Sequence, residues 1–212
     1  MTVYPVEDLV DRLYKNNIIL IGRFRLSSGM ESPYYIDLRR AYSNPPLFKL
    51  IVKSLLEVLK SIEKEFDIIV GIETGGIPIA SVLSYTMGRP FAYVRKGTKE
   101  HGTKKIVEGT INPGDRCIIV DDVVTTGSSI ARAVSILKNL SARVDYAVVF
   151  IDREQGAYEL LSSMNVKLLS VLRVSVLLKT LRSLNLINEE TYHIILNYIH
   201  TAKVDRKSGE EV

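Results

Sequence analysis

The chain has 212 residues, 46% of them hydrophobic and 25% charged, with a single cysteine, a composition inside the range of ordinary soluble domains. That excludes a disordered, collagen-like or disulfide-stapled chain, and folding at this length buries roughly 70% of the surface that the extended chain exposes. The net charge of +4 is too small to argue by itself for a nucleic-acid or membrane partner. Cys117 lies in an apolar run and reads as a small buried hydrophobe in a reducing compartment, so the cytoplasm is expected. No apolar stretch follows a basic start, and the most hydrophobic window, residues 168–178, is broken by Arg173. Neither export nor membrane insertion is expected.

Behind Pro5, Val6, Leu9, Val10, Leu13 and Tyr14 recur at helical spacing, which predicts an amphipathic helix as far as Asn16. Extended chain follows. In residues 33–39, Tyr34, Ile36 and Leu38 alternate with Tyr35, Asp37 and Arg39, the period of a half-buried strand. Helical period returns over 46–62. Continuous apolar runs then recur at 68–72, 91–94, 117–120, 146–151 and 166–172, with helical stretches at 75–87, 128–140 and 155–164 between them. Runs without alternation suit strands covered on both faces, and crossover helices between them suit a parallel sheet. Two more helices are predicted at 175–184 and 188–199, the second capped by Asn188, and a loose polar tail at 203–212. With no repeat or linker, one α/β domain over 1–212 is expected.

In doubly wound folds ligands collect at the carboxyl ends of the strands, and three loops there carry candidate chemistry. The first is Cys117-Ile-Ile-Val-Asp-Asp-Val-Val-Thr-Thr-Gly-Ser-Ser129. Small hydroxyl residues around Gly127 at a helix start offer N–H and O–H donors to a phosphate monoester. Asp121 and Asp122 repel such an ion, and fit beside it if the ligand also presents hydroxyls or a divalent cation. Alone, the Thr125 to Ser129 string reads more simply as a helix N-cap. The second loop, Gly71-Ile-Glu-Thr-Gly-Gly-Ile-Pro78, lets the backbone of Gly75 and Gly76 approach an anion at another helix start. The third, Arg95-Lys-Gly-Thr-Lys-Glu-His-Gly-Thr-Lys-Lys105, sits in a segment, 95–108, whose net +3 accounts for most of the chain's excess charge. Arg95, Lys96, Lys99 and His101 put four donors on a flexible backbone, suited to closing over a highly charged leaving group.

The first of these loops closely resembles the phosphoribosyl pyrophosphate (PRPP) signature of the type I phosphoribosyltransferases. The third resembles the Arg-Lys-x-x-Lys-x-His-Gly loop of the orotate branch of that family. Residues 24–39 resemble its N-terminal substrate segment, and Phe150-Ile-Asp-Arg-Glu-Gln-Gly156 resembles its loop carrying a substrate-contacting arginine. The resemblance implies a central parallel sheet flanked by helices, with about residues 1–40 contributing a small hood. It implies transfer of phosphoribose from PRPP to orotate, giving orotidine 5'-monophosphate and pyrophosphate in pyrimidine synthesis, with Mg²⁺ bound mainly through PRPP. It assigns Lys99, His101, Asp121 and Asp122 to catalysis. Arg95, Lys96, Lys99, His101, Asp121, Asp122, Val123, Val124, Thr125, Thr126, Gly127, Ser128 and Ser129 go to PRPP. Glu73, Thr74, Gly75 and Gly76 go to pyrophosphate, and Thr125, Arg153, Tyr34 and Tyr35 to orotate. A homodimer sharing the basic loop across subunits is implied, without nucleic acid or membrane. Ser27 stands where many relatives carry Lys. Two rivals remain: transfer to another base, and a nucleic-acid-binding regulator on the same fold, for which the charge outside the basic loop is small.

Overall fold

The computed structural model describes residues 5–25, 31–97 and 106–204, with side chains as far as 201. The chain opens with helix α1 (Val6–Lys15), held by the burial of Leu9, Val10 and Leu13. Strands β1 (Ile19–Arg25) and β2 (Glu31–Ile36) pair antiparallel. The predicted strand over 33–39 ends three residues early. Asp37 accepts a hydrogen bond from the Arg39 N–H at 3.3 Å and turns the chain into a 3-10 helix, Leu38–Ser43, since a short acceptor side chain competes with ladder pairing for the backbone donor. Helix α2 (Pro45–Lys60) begins at the Asn44 cap, whose Oδ1 accepts from the Leu47 N–H at 3.2 Å.

The elements that follow are β3 (Ile68–Ile72), α3 (Gly76–Met87), β4 (Phe91–Val94), β5 (Val107–Glu108), β6 (Arg116–Val124), α4 (Ser128–Asn139), β7 (Arg143–Asp152), α5 (Ala157–Ser163), β8 (Lys167–Arg173), α6 (Val174–Ser183) and α7 (Glu189–Val204). The sheet order is β5-β4-β3-β6-β7-β8, parallel except for β5. The predicted runs at 68–72 and 91–94 match β3 and β4. β6 runs past the predicted end at 120 and takes in both acids, because Asp121 stands opposite Val149 and Val124 opposite Asp152 of β7. Asn188 caps α7, its Oδ1 accepting from the Thr191 N–H at 2.8 Å. That helix continues to Val204, past the predicted end at 199 and into the expected loose tail, whose remaining residues, 205–212, lie outside the described residues.

Alternate strand residues face opposite layers, as the pleat requires. Ile69, Ile118, Val120, Val148 and Phe150 pack with α1, β2, α2, α3, α6 and α7. Ile68, Val70, Cys117, Ile119 and Val149 pack with α4 and α5. Fully burying side chains such as Leu55, Leu83, Ile119 and Leu137 contributes roughly 1.5–3 kcal/mol each. These two layers lock the register of β3 and β6 at the centre of the sheet.

Candidate active site

The chain leaves β3 through α3 toward β4 on one side, and leaves β6 through α4 toward β7 on the other. The neighbours β3 and β6 therefore form the switch point of the sheet, where two loops diverge and leave a crevice at the carboxyl ends. Both glycines of the β3 loop are needed for close approach. A Cβ on Gly76 would lie 2.6 Å from the Val120 carbonyl oxygen and 3.1 Å from Asp121 Oδ1, and one on Gly75 would land on the Asp122 carboxylate. The loop is braced twice more. Glu73 accepts from the Lys96 N–H at 2.7 Å, and the Tyr42 hydroxyl donates to the Gly75 carbonyl at 2.8 Å. Tyr42 was not among the residues expected at the site. It lies in the 3-10 helix that displaced the end of the predicted strand, and no spacing in the sequence links it to Gly75.

The two acids, treated as equivalents in the sequence, occupy different surroundings. Asp121 is 9% exposed and its Oδ1 accepts from the Asp122 N–H at 2.9 Å. Burial, and then the neighbouring Asp122 charge, push its carboxyl well above the usual carboxylate range. Asp122 is half-buried, with Oδ1 accepting from the Val123 N–H at 2.8 Å. Burial, reinforced by the charges of Asp122 and Asp121, also raises the Tyr42 hydroxyl, which stays a donor.

After Val124 the chain turns through Thr125 and Thr126 into α4. Gly127 takes φ +83°, and a Cβ there would meet Ala157 Cα at 3.1 Å, so a side chain is disfavoured both by conformation and by space. Thr126 Oγ1 lies 2.9 Å from Ser128 Oγ and accepts from the Ser128 N–H at 3.3 Å. Ser128 and Ser129 are exposed and the first turn of α4 carries no acid, so the N–H groups that follow Ser128 and the positive dipole end face no competing carboxylate of that turn and suit an anion.

Arg153 follows β7 beside this loop, its N–H donating to the Val124 carbonyl at 3.0 Å. The residue is 6% exposed, Nε donates to the Tyr34 hydroxyl at 3.0 Å, and Nη2 is buried with no hydrogen-bond partner among the described residues. Tyr34 is fully buried, whereas Tyr35 is half-buried and its hydroxyl accepts from Arg39 Nη2 at 3.3 Å. Arg95 pairs with Glu108 at 3.4 Å, and its carbonyl accepts from Arg132 Nη1 on α4 at 2.8 Å. Its N–H donates to the Ile106 carbonyl at 2.9 Å, which joins the two ends of the basic segment. Lys96 is exposed; Lys99, His101 and Ser27 lie outside the described residues. No group of three or more His, Cys, Asp or Glu able to hold a metal occurs among the described residues, nor does a helix long and apolar enough to cross a membrane.

Comparison with family models matches residues 39–172 to the phosphoribosyl transferase domain. The chain is 41% identical over 192 residues to the orotate phosphoribosyltransferase of Sulfolobus acidocaldarius, covering 91% of this chain and 96% of the relative. The crystal structure of orotate phosphoribosyltransferase from Aeropyrum pernix superposes with a TM-score of 0.75 at 38% identity, covering 85% of this chain and 99% of that one. The structure of Leishmania donovani UMP synthase gives a TM-score of 0.82 at 30% identity, over 93% of this chain and 43% of that longer one. The expected type I phosphoribosyltransferase fold is thereby established. The matches to the Sulfolobus and Aeropyrum proteins span nearly the whole length of each, so the likeness reaches beyond the shared donor motif: this chain belongs to the orotate phosphoribosyltransferase family.

Proposed function

We infer that the protein transfers the 5-phosphoribosyl group from PRPP to orotate, forming orotidine 5'-monophosphate and pyrophosphate. The bond from the ribose anomeric carbon to pyrophosphate breaks, and one from that carbon to a ring nitrogen of orotate forms. The observation that carries the acceptor is Arg153: a buried guanidinium with an unpaired Nη2, one backbone hydrogen bond from the start of the phosphate loop. A planar carboxylate on the base suits that free edge, while uracil, adenine and hypoxanthine bring none. Thr125 and Tyr35 border the base in this reading.

Val123 to Ser129 hold the 5'-phosphate at the α4 start, turning remote binding energy into alignment of the reacting carbon. Asp122, backed by Asp121, takes the ribose hydroxyls and favours positive charge developing on the ring. Glu73, Thr74, Gly75 and Gly76 receive pyrophosphate on backbone N–H groups, while Arg95, Lys96, Lys99 and His101 neutralise the charge that builds on it. Asp121 and the half-buried Asp122 at the end of β6 could share in holding a Mg²⁺ bound mainly through substrate oxygens. When bound, Mg²⁺ supplies neutralisation of the pyrophosphate charge. Residues 1–212 act as one catalytic unit with about residues 1–40 as hood. That unit forms a cytoplasmic homodimer sharing the basic loop, with no nucleic-acid partner.

The test is the fall in orotate's ultraviolet absorbance with PRPP and Mg²⁺ present. Orotate is expected to be consumed while uracil, hypoxanthine and adenine are not. Faster consumption of any of those bases would overturn the acceptor.

A further inference from the structure

We propose that Tyr34 is a positioning residue for base specificity: it holds the Arg153 guanidinium by one face and by Nε, leaving the Nη edge with its full charge for a carboxylate on the base. This rests on the assignment of Arg153 made above and adds the device that aims it.

An arginine carries five N–H donors and no acceptor, and a buried guanidinium is ordinarily fixed by an acid, which also cancels its charge. Here the fixing group is a phenol. Arg153 Cζ stands 4.6 Å from the Tyr34 ring centroid, and Nε donates to its hydroxyl at 3.0 Å. The ring restrains the guanidinium through cation–π attraction and the hydroxyl sets its rotation, yet neither neutralises it. Burial holds the Tyr34 hydroxyl above its ordinary range against the opposing pull of Arg153, so the phenol stays uncharged. Tyr34 is itself held. Its ring meets Tyr198 of α7 edge-to-face with centroids 6.1 Å apart, and its carbonyl accepts from the Ser32 hydroxyl at 2.7 Å. The unpaired Nη2 is what remains. A buried donor without a partner costs free energy, and an incoming carboxylate relieves that cost while a base lacking one does not.

The experiment is a double-mutant cycle on the full-length protein with Tyr34→Phe, Arg153→Ala and the pair, reading Michaelis constants for orotate and PRPP from initial rates. Phe keeps the ring and the Tyr198 contact and removes only the hydroxyl. Tyr34→Phe is expected to raise the orotate constant about tenfold, the net effect of one hydrogen bond to a charged group. The PRPP constant should stay within about twofold. In the Arg153→Ala background the same change should alter the orotate constant by less than about twofold, because the group it aims is gone. An equal effect in both backgrounds, or equal rises for both substrates, overturns the proposal. No effect of Tyr34→Phe beside a large effect of Arg153→Ala overturns it while leaving the assignment of Arg153 standing. An unchanged orotate constant in Arg153→Ala overturns both.

Discussion

Asp121 binds its proton more tightly in the folded chain than in the unfolded one, because Gly76 and the β3 loop keep water from it and Asp122 adds a like charge. The unfolded chain releases that proton near the ordinary aspartate value of about 3.9, whereas the folded chain holds it to higher pH. The group therefore destabilises progressively as pH rises through the unfolded value toward the folded one. Asp121→Asn keeps an acceptor for the Asp122 N–H and removes the charge. Thermal melts are expected to show a more stable protein at neutral pH, by roughly 2–4 °C for each kcal/mol relieved, and a flatter decline of stability with pH. Turnover should fall roughly a hundredfold, as for the loss of one preorganised electrostatic group; undiminished turnover would remove Asp121 from the mechanism. The pair of acids was legible as a motif, since two carboxylates before a Thr-Thr-Gly-Ser-Ser string is a specific arrangement. Their inequality was not, because it depends on the fold burying one carboxylate and leaving its neighbour half-buried.

Elements were most legible where burial was symmetric. Ile68–Ile72 and Phe91–Val94 are apolar runs closed by polar or glycine-bearing turns, so the run and the strand coincide. β5 has two residues and exists because Val107 and Glu108 find β4 opposite them, a partner that no local pattern announces. β6 outruns its apolar stretch for the same reason. Local chemistry decided helix starts. The cap of α2 tests this: Asn44 Oδ1 takes the Leu47 N–H, and Asn44 Nδ2 donates to Asn16 Oδ1 at 2.8 Å, tying this cap to the end of α1. Asn44→Ala should lower stability by about 1 kcal/mol, read as a lower urea midpoint at unchanged slope. Asn44→Asp should recover most of it. A loss within error for Asn44→Ala would mean that Pro45 and Pro46 set the helix start unaided.

At the scale of the molecule, the central strands are the part least able to open alone. Cys117 on β6 is 3% exposed, and burial pushes its thiol up to about 12, so both access and thiolate fraction oppose modification. Labelling by a disulfide reagent in native buffer should proceed only through global opening, with a urea dependence equal to that of equilibrium unfolding. Labelling that is fast and independent of urea would show β6 opening locally. The same architecture brings the N-terminal segment over the sheet: Tyr34 reaches Arg153 across 119 positions of chain and Tyr42 reaches Gly75 across 33. The sequence by itself determined the sheet class, the Thr-Thr-Gly-Ser-Ser turn before α4, the glycine turn after β3 and the place of the basic segment, because each is a contiguous string whose residue types follow from local backbone geometry or stand out by composition. Only the tertiary structure decided which acid is shielded, which tyrosine carries the arginine and which one anchors the glycine loop. Those properties arise from desolvation and contact between groups distant in the chain, and a linear pattern carries no measure of either.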